Sequence, residues 1–115
     1  MKKTAVLIGY GGMGKRYFKT LKKMNFKIIA VCEYKNSLLS ELKNEDDSIH
    51  QTSNYKDLLN PDADLLCVTS NTKSRYRILL DFCKKKRIKK IITEKPLSTS
   101  YSKCLEIEKI VKQNK

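Results

Sequence analysis

The sequence predicts an α/β fold in which a parallel sheet is flanked by helices on both faces. Short apolar segments alternate with segments whose apolar residues recur at helical spacing, which is the pattern of successive β-α-β units. A glycine-rich turn joins the first strand to the first helix, and an acidic residue closes the second strand. Together these features are typical of the doubly wound Rossmann type, with right-handed crossovers. The length of 115 residues fits one domain.

The glycine-rich turn carries the strongest functional signal. Residues 4–8 are apolar and β-favouring, and every glycine of the chain lies in the run that follows, Gly9-Tyr10-Gly11-Gly12-Met13-Gly14, with the spacing G-x-G-x-x-G. Gly9 permits a sharp turn, Gly11 lets a pyrophosphate approach the backbone, and Gly14 lets the next helix pack closely on the strand. Unpaired N–H groups and the positive end of the helix dipole then face the phosphates. The predicted cofactor-binding residues of this turn are Gly9, Gly11, Gly12, Met13 and Gly14.

The acid after the second strand supports the same ligand. The first helix is predicted from apolar residues at helical spacing, namely Met13, Tyr17, Phe18, Leu21 and Met24. Residues 27–32 are predicted as a buried strand that Glu33 closes. A carboxylate there accepts hydrogen bonds from ribose hydroxyls, so the predicted cofactor is a dinucleotide, with NAD favoured over NADP. Lys35 would attract a 2′-phosphate, which keeps NADP as an alternative. The other alternative is a turn that binds nothing, with Glu33 as a solvated strand end.

The middle of the chain holds shorter elements. A short helix is predicted over residues 37–42, and a short edge strand over residues 49–52. Asn54 begins a sequence similar to a capping box, which predicts one helical turn through Leu59, ended by Asn60-Pro61-Asp62. Residues 65–68 form a continuous apolar run, as expected of a strand covered on both faces.

A polar loop follows the strand at residues 65–68. Its residues Ser70, Asn71 and Thr72 are predicted to contact the cofactor, because they lie at the carboxyl end of a parallel strand. A helix is predicted to begin near Thr72. Its apolar residues at helical spacing are Tyr76, Leu79, Leu80 and Cys83. The basic run of residues 84–90 is predicted to end this helix, and residues 91–92 to form the next strand.

The last predicted strand leads directly into Glu94-Lys95-Pro96. Pro96 ends the strand and restricts Lys95 to extended geometry. A final helix is predicted from about Ser100. Its expected buried residues are Cys104, Ile107, Ile110 and Val111. Because ligands bind at the carboxyl ends of parallel strands, four segments are expected to meet there: the glycine turn, Glu33, residues 70–72 and residues 94–96.

The formal net charge of +13 has two interpretations. Lysines are scattered over the predicted helix faces, and residues 84–90 form one dense basic run. This run either binds nucleic acid or an acidic surface, or it complements the negative end of a helix dipole. The second interpretation is favoured because no aromatic residues or nucleic-acid motif accompany the run, so no nucleic-acid partner is expected. In both cases the charge speeds encounters with polyanionic ligands.

The remaining composition favours a reduced, cytoplasmic protein. The cysteines show no C-x-x-C spacing and are expected to be core thiols; they are Cys32, Cys67, Cys83 and Cys104. The single His50 has no matching ligand cluster, so no metal site is expected. The apolar run at the amino terminus is too short for a secretory signal, and no run approaches membrane-spanning length. A soluble protein with no membrane partner is therefore expected.

These residues resemble one family, the NAD(P)-dependent oxidoreductases that include glucose-fructose oxidoreductase, inositol dehydrogenase and MocA-like proteins. The resemblance runs from about Thr4 to the end of the chain. It rests on the glycine turn, on residues 31–33, on the tract of residues 55–68 and on Glu94-Lys95-Pro96. The last tripeptide, directly after an apolar strand, is the family's most distinctive motif.

The resemblance implies a dinucleotide-binding domain of an oxidoreductase that acts on a sugar, polyol or sugar nucleotide. It implies a catalytic role for Lys95 near the nicotinamide, where a fixed cation binds substrate and steadies charge on its oxygen. It also implies a cofactor contact for Glu94. The chain departs from the family at Asn71 and Arg75, where a proline and a histidine are usual.

Family members continue into a second α+β domain that supplies the substrate pocket, the proton-transfer residue and most of the oligomer interface. That domain is absent from these 115 residues, and His50 is poorly placed to replace the proton-transfer residue. The chain is therefore expected to be shortened relative to the family, to bind NAD(H) and to be inactive alone. One alternative is a stand-alone module that binds cofactor or docks onto a partner chain or a second copy. The other is a basic nucleic-acid-binding protein.

Overall fold

Five parallel strands form the centre of the molecule. The computed structural model describes residues 2–93 and 101–113. The strands are β1 (Thr4–Ile8), β2 (Lys27–Cys32), β3 (His50–Thr52), β4 (Ala63–Val68) and β5 (Ile88–Thr93). The helices are α1 (Gly12–Lys23), α2 (Asn36–Glu45), α3 (Thr72–Lys85) and α4 (Tyr101–Gln113), with a 3-10 turn at Tyr55–Leu58.

The strand order is β3-β2-β1-β4-β5, and each neighbouring pair is parallel. The chain runs outward from β1 through β2 to β3, and then returns to the other side of β1 for β4 and β5. The order therefore switches direction between β1 and β4, where a crevice opens at the carboxyl ends of the strands. The predicted doubly wound α/β class is confirmed.

A hydrophobic core lies on each face of the sheet, because alternate residues of β1 point to opposite sides. Val6 and Ile8 pack in one core with residues of α3 and α4, including Phe82. Ala5 and Leu7 pack in the other core with residues of α1 and α2. Coverage on both faces explains the continuous apolar runs of β1 and β4.

Helix α1 buries a narrower apolar face than its spacing predicted. Phe18 and Leu21 are buried, whereas Met13 is 43% exposed and Met24 is 63% exposed. Met13 lies in the first turn of the helix, at the open carboxyl edge of the sheet. Met24 lies beyond the last helical residue, where Asn25 adopts a left-handed φ of 67° and turns the chain away from the core.

The basic run divides between a helix and a strand, which corrects the prediction that it only ends the helix. After α3, Lys86 adopts a φ of 58°, and β5 begins at Ile88 rather than at Ile91. Lys89 and Lys90 therefore lie within β5, where both are exposed. Because β5 is the edge strand of the described sheet, its side chains are covered less than those of β4, and charged residues are tolerated there.

Helices α2 and α4 differ from the predictions mainly at their margins. Helix α2 is longer than residues 37–42 and buries Leu42. In α4, Ile107 is buried, whereas Cys104 and Ile110 are only half-buried. The side chain of Val111 lies outside the described residues.

Asp64 joins three strands at their amino ends. Its Oδ2 accepts a hydrogen bond from the Thr4 N–H at 2.8 Å, and its own N–H donates to the Thr4 Oγ1 at 3.2 Å. Lys89 Nζ lies 3.1 Å from Asp64 Oδ1. The Thr4 N–H first, and then the Lys89 ammonium, hold the pKa of the Asp64 carboxyl below its usual value. This carboxylate therefore ties β1, β4 and β5 together at the edge opposite the crevice.

We expect the Asp64→Asn variant to have a lower Tm than the wild type at pH 7. Since folding lowers this pKa, the stabilisation is complete above the unfolded-state value of about 3.9 and is lost as the pH falls through the lower folded-state value. The two Tm curves should therefore converge as the pH falls below about 4. Asp62→Asn is the control, because it removes the same charge from an exposed ion pair, the one with Arg87 at 3.5 Å. Parallel Tm curves for wild type and Asp64→Asn would contradict the assignment.

Candidate functional site

Three segments meet at the carboxyl edge of the sheet, as the order of the strands requires. They are the glycine turn after β1, Glu33 after β2 and residues 69–71 after β4. An open cleft of about 380 Å³ lies between them. Its walls include Gly9, Gly11, Glu33, Tyr34, Ser70 and Asn71. Five of the ten residues predicted to contact a cofactor therefore line one cleft.

Gly9 occupies a position that other residues tolerate poorly. Its φ is +102°, and a Cβ built on it would collide with the Oγ1 of Thr69. The Gly9 N–H donates to the Cys32 carbonyl at 2.7 Å. Thr69 is fixed in turn, because its Oγ1 donates to the Ile8 carbonyl at 3.0 Å. The sharp turn after β1 therefore needs glycine for its conformation and for the close approach of the β4 loop.

The other three glycines fall into two groups. A Cβ on Gly14 would collide with the carbonyl oxygen of Gly9, so the first turn of α1 lies directly against the end of β1. Among the described residues, no atom lies within 4 Å of a Cβ built on Gly11 or on Gly12. The backbone at these two positions thus borders open space.

The start of α1 is suited to an anion. Gly11 is the N-cap and gives no side-chain cap, and the first turn contains no acidic residue. The Lys15 N–H donates to the Gly11 carbonyl at 2.9 Å and is the first to find an intrahelical acceptor. The N–H groups of Gly12, Met13 and Gly14 precede it at the positive end of the helix dipole.

The Glu33 carboxylate points to the glycine turn. Its Oε1 accepts a hydrogen bond from the Tyr10 N–H at 2.8 Å, and its Oε2 accepts one from the Lys35 N–H at 3.0 Å. The Glu33 N–H donates to the Thr52 carbonyl at 3.0 Å, which anchors the residue to β3. Each carboxylate oxygen has a further lone pair with which to accept a hydrogen bond.

The loop after β4 is held by its own polar groups. The Asn71 side chain caps α3, since its Oδ1 accepts a hydrogen bond from the Ser74 N–H at 3.1 Å. Asn71 therefore has a structural role as the N-cap of α3, besides the cofactor contact predicted for it. The Ser70 hydroxyl is buried and has no hydrogen-bond partner within the described part of the chain. The side chain of Thr72 lies outside the described residues.

Arg75 was missed as a site residue. It is 5% exposed and is the one buried charged residue among those described. Its Nη2 donates to the Ser70 carbonyl at 2.7 Å, so this side chain of α3 holds the backbone of the loop after β4. The signal for its burial is present in the sequence, because Arg75 shares a helix face with Ile78, Leu79 and Phe82.

Other candidate groups do not join the cleft chemistry. Burial raises the pKa of the Cys32 and Cys67 thiols to about 11 each, so both are protonated and inert at neutral pH. His50 is exposed on the short edge strand β3. Glu94 and Lys95 lie outside the described residues. In residues 2–93 and 101–113, no group of three or more potential ligands suits a metal ion, and no helix is long and apolar enough to cross a membrane.

Comparison with known proteins gives one family match. Residues 3–115 match the model of a family described as an oxidoreductase family with an NAD-binding Rossmann fold. No curated protein matches the sequence.

Several solved structures share the fold. The WlbA dehydrogenase of Chromobacterium violaceum, solved in complex with NADH and UDP-GlcNAcA, is 22% identical with a TM-score of 0.86, and the match covers 98% of this chain and 33% of that one. The myo-inositol 2-dehydrogenase of Lactobacillus plantarum is 24% identical with a TM-score of 0.85, and the match covers 99% of this chain and 34% of that one. The scyllo-inositol dehydrogenase of Lactobacillus casei is 15% identical with a TM-score of 0.86, and the match covers 98% and 34%. This chain therefore spans about a third of the length of these structures.

We expect Gly14→Ala to destabilise the fold strongly, because the new methyl group would overlap the Gly9 carbonyl oxygen. Overpacking of this kind costs about 1–3 kcal/mol or more. Gly12→Ala is the matched control, since it adds the same methyl group to the same helix where nothing lies within 4 Å. Its Tm should equal or exceed that of the wild type, because alanine favours a helix. Thermal unfolding followed by circular dichroism measures both, and equal Tm values for the two variants would refute the assigned packing.

Proposed function

This chain belongs to the oxidoreductase family that includes glucose-fructose oxidoreductase, inositol dehydrogenase and MocA-like proteins, and we propose that residues 1–115 form its dinucleotide-binding domain. The cofactor is NAD. The enzyme of which this domain is part acts on a sugar, polyol or sugar nucleotide. The four cysteines are free thiols, as expected in the cytoplasm.

One observation carries the proposal for the cofactor. In the part of the chain that the structure describes, no atom lies within 4 Å of a Cβ built on Gly11 or Gly12, and the uncapped amino end of α1 lies beside this space. A pyrophosphate fits this arrangement, because it is a doubly charged anion that needs N–H donors at contact distance. The glycines at positions 9 and 14 maintain the turn, whereas those at 11 and 12 leave room for the ligand.

Different residues around this space are proposed to contact different parts of the dinucleotide. The N–H groups of Gly12, Met13 and Gly14 would hold the pyrophosphate. Glu33 would accept hydrogen bonds from a ribose, because each of its oxygens has a lone pair that the contacts to Tyr10 and Lys35 do not use. Residues 70–72 form the opposite wall, with Asn71 capping α3 and Ser70 held through its carbonyl by Arg75.

NAD, when bound, accepts or donates the hydride exchanged with the carbon that carries the substrate hydroxyl. The protein's part is to bind and orient the nicotinamide and to stabilise charge on the substrate oxygen. By resemblance, Lys95 supplies the fixed cation near that oxygen and Glu94 contacts the cofactor. A proton acceptor is also required, and within the described residues His50 does not line the cleft. We propose that this group and the substrate pocket come from residues beyond this domain or from a partner chain or second copy.

The proposed substrate class rests on the resemblance and on the solved structures that share the fold. Two of these are named as inositol dehydrogenases, and one was solved with UDP-GlcNAcA. Each such substrate carries secondary hydroxyls that a nicotinamide cofactor oxidises. Without the substrate pocket, the domain should bind cofactor but show negligible turnover.

The direct test is titration of the chain with NADH, followed by fluorescence or calorimetry. Saturable binding at a single site is expected, and NADPH should bind more weakly, because its 2′-phosphate meets the Glu33 carboxylate. Since the formal net charge is +13, the titration belongs at about 0.3 M salt, where unspecific attraction of phosphates is screened. Absence of saturable NADH binding at this salt concentration would reject the proposed function.

A second test separates the ligand-facing glycine from the structural ones. Gly11→Ala should lower the Tm by far less than Gly14→Ala, because no described atom lies within 4 Å of its Cβ and the cost is only that alanine is a poorer N-cap than glycine. The affinity for NADH should fall by about tenfold or more, because the methyl group occupies the space proposed for the pyrophosphate. Thr20→Ala, an exposed neutral change on the same helix, is the control and should bind NADH as the wild type does. Unchanged binding by Gly11→Ala would show that the phosphates lie elsewhere.

A further inference from the structure

We propose that Glu33 is a positioning residue for the glycine turn as well as the acceptor for the ribose, so that one carboxylate sets both the phosphate site and the sugar site. The inference rests on the proposed function, because it assigns a second role to a residue of that site. It starts from the two hydrogen bonds that the carboxylate accepts, which come from two different loops.

The first bond fixes the turn. Tyr10 lies between Gly9 and Gly11, and its N–H donates to Glu33 Oε1 at 2.8 Å. Bonds to a charged acceptor are stronger than bonds between neutral groups. The Tyr10 side chain is 5% exposed and packs edge-on against Phe18, with ring centroids 5.4 Å apart. Tyr10 is thus held from its ring and from its N–H, and Glu33 supplies the second of these restraints.

The second bond fixes the carboxylate itself. The Lys35 N–H donates to Oε2 at 3.0 Å from the loop that leads into α2. A carboxylate that accepts one hydrogen bond on each oxygen has a defined orientation. The Lys35 N–H, at the start of α2, therefore helps to fix the carboxylate that in turn binds the Tyr10 N–H. The glycine turn is joined to β2 at two successive N–H groups, since the Gly9 N–H also donates to the Cys32 carbonyl at 2.7 Å.

Glutamine cannot replace this carboxylate. Its amide has one oxygen, so its NH2 group would face either the Tyr10 N–H or the Lys35 N–H, and two donors repel. Loss of the acceptor leaves a backbone N–H unpaired, which lets the turn relax away from the shape that accepts a pyrophosphate. If Glu33 only contacted the ribose, its loss would not weaken the binding of a diphosphate without ribose hydroxyls, because removal of the negative charge would favour the anion.

The test therefore compares ADP with 2′,3′-dideoxy-ADP, which carries the same diphosphate but neither hydroxyl. The wild type should bind ADP more tightly than the dideoxy compound. In Glu33→Gln, the affinity for dideoxy-ADP should itself fall by about tenfold, the loss expected when a bond to a charged acceptor is removed. Glu106→Gln is the matched control, because Glu106 also accepts a hydrogen bond, from the Tyr76 hydroxyl at 2.6 Å on the surface of α3 and α4. Its affinities for both compounds should equal those of the wild type.

The possible results are distinguishable. Dideoxy-ADP affinity in Glu33→Gln that is tighter than in the wild type or within twofold of it, with ADP affinity reduced, would overturn the positioning role and leave the proposed function intact. Failure of the wild type to bind either compound or NADH would reject the proposed function itself. Amide hydrogen exchange gives an independent readout, since the Tyr10 N–H should exchange about tenfold faster in the variant. If Glu33→Gln does not fold, Glu33→Asp takes its place, because its side chain is charged but one methylene shorter; unchanged dideoxy-ADP affinity and Tyr10 exchange in that variant would equally overturn the inference.

Discussion

The close approach of Gly9, Gly14 and Thr69 is the constraint on which the rest of the site depends. The Gly9 carbonyl and the Thr69 hydroxyl occupy the space that a Cβ on residue 14 or residue 9 would need. Because no side chain fits at this junction, α1 begins directly over the end of β1, with β4 against both. The N–H groups of the first helical turn consequently face the crevice at the switch in strand order. A larger residue at either glycine would separate the helix from the sheet and turn these donors away from the crevice.

In the proposed complex, short-range contacts rather than the formal charge of +13 would determine which ligand the crevice selects. At physiological salt the field of an exposed lysine is screened over about 8 Å. Lys89 and Lys90 lie on β5, and Lys89 is paired with Asp64 at the opposite edge of the sheet. Such lysines speed the arrival of a polyanion but do not orient it. In the proposed complex, orientation would depend on groups at contact distance, which are the uncapped N–H groups of α1 and the fixed carboxylate of Glu33.

The sequence predicted the fold class because alternation of apolar strands and amphipathic helices depends only on residue type and spacing. It predicted the turn at Gly9 and the tight packing at Gly14, since these geometries exclude a Cβ. Helical spacing did not predict correctly which side chains are buried by a neighbouring element. Met13 has helical spacing but is 43% exposed at the open edge, whereas Arg75 has the same spacing and is buried. A pattern identifies side chains that share a face, whereas burial depends on the neighbouring element.

The contact between Glu33 and Tyr10 depends on a strand register that no local pattern contains. Ala5 pairs with Ile28, but Val6 pairs with Ala30, so the register of β1 against β2 shifts by one residue. After this shift Ile8 lies opposite Cys32; in an unshifted pairing Ile8 would lie opposite Val31. Glu33 would then lie level with Tyr10 instead of Gly9, and its carboxylate would not meet the Tyr10 N–H in the same way. An irregularity in the middle of the sheet thus sets the geometry at its carboxyl edge, which is why an acid at the end of β2 was predictable but its contact with the glycine turn was not.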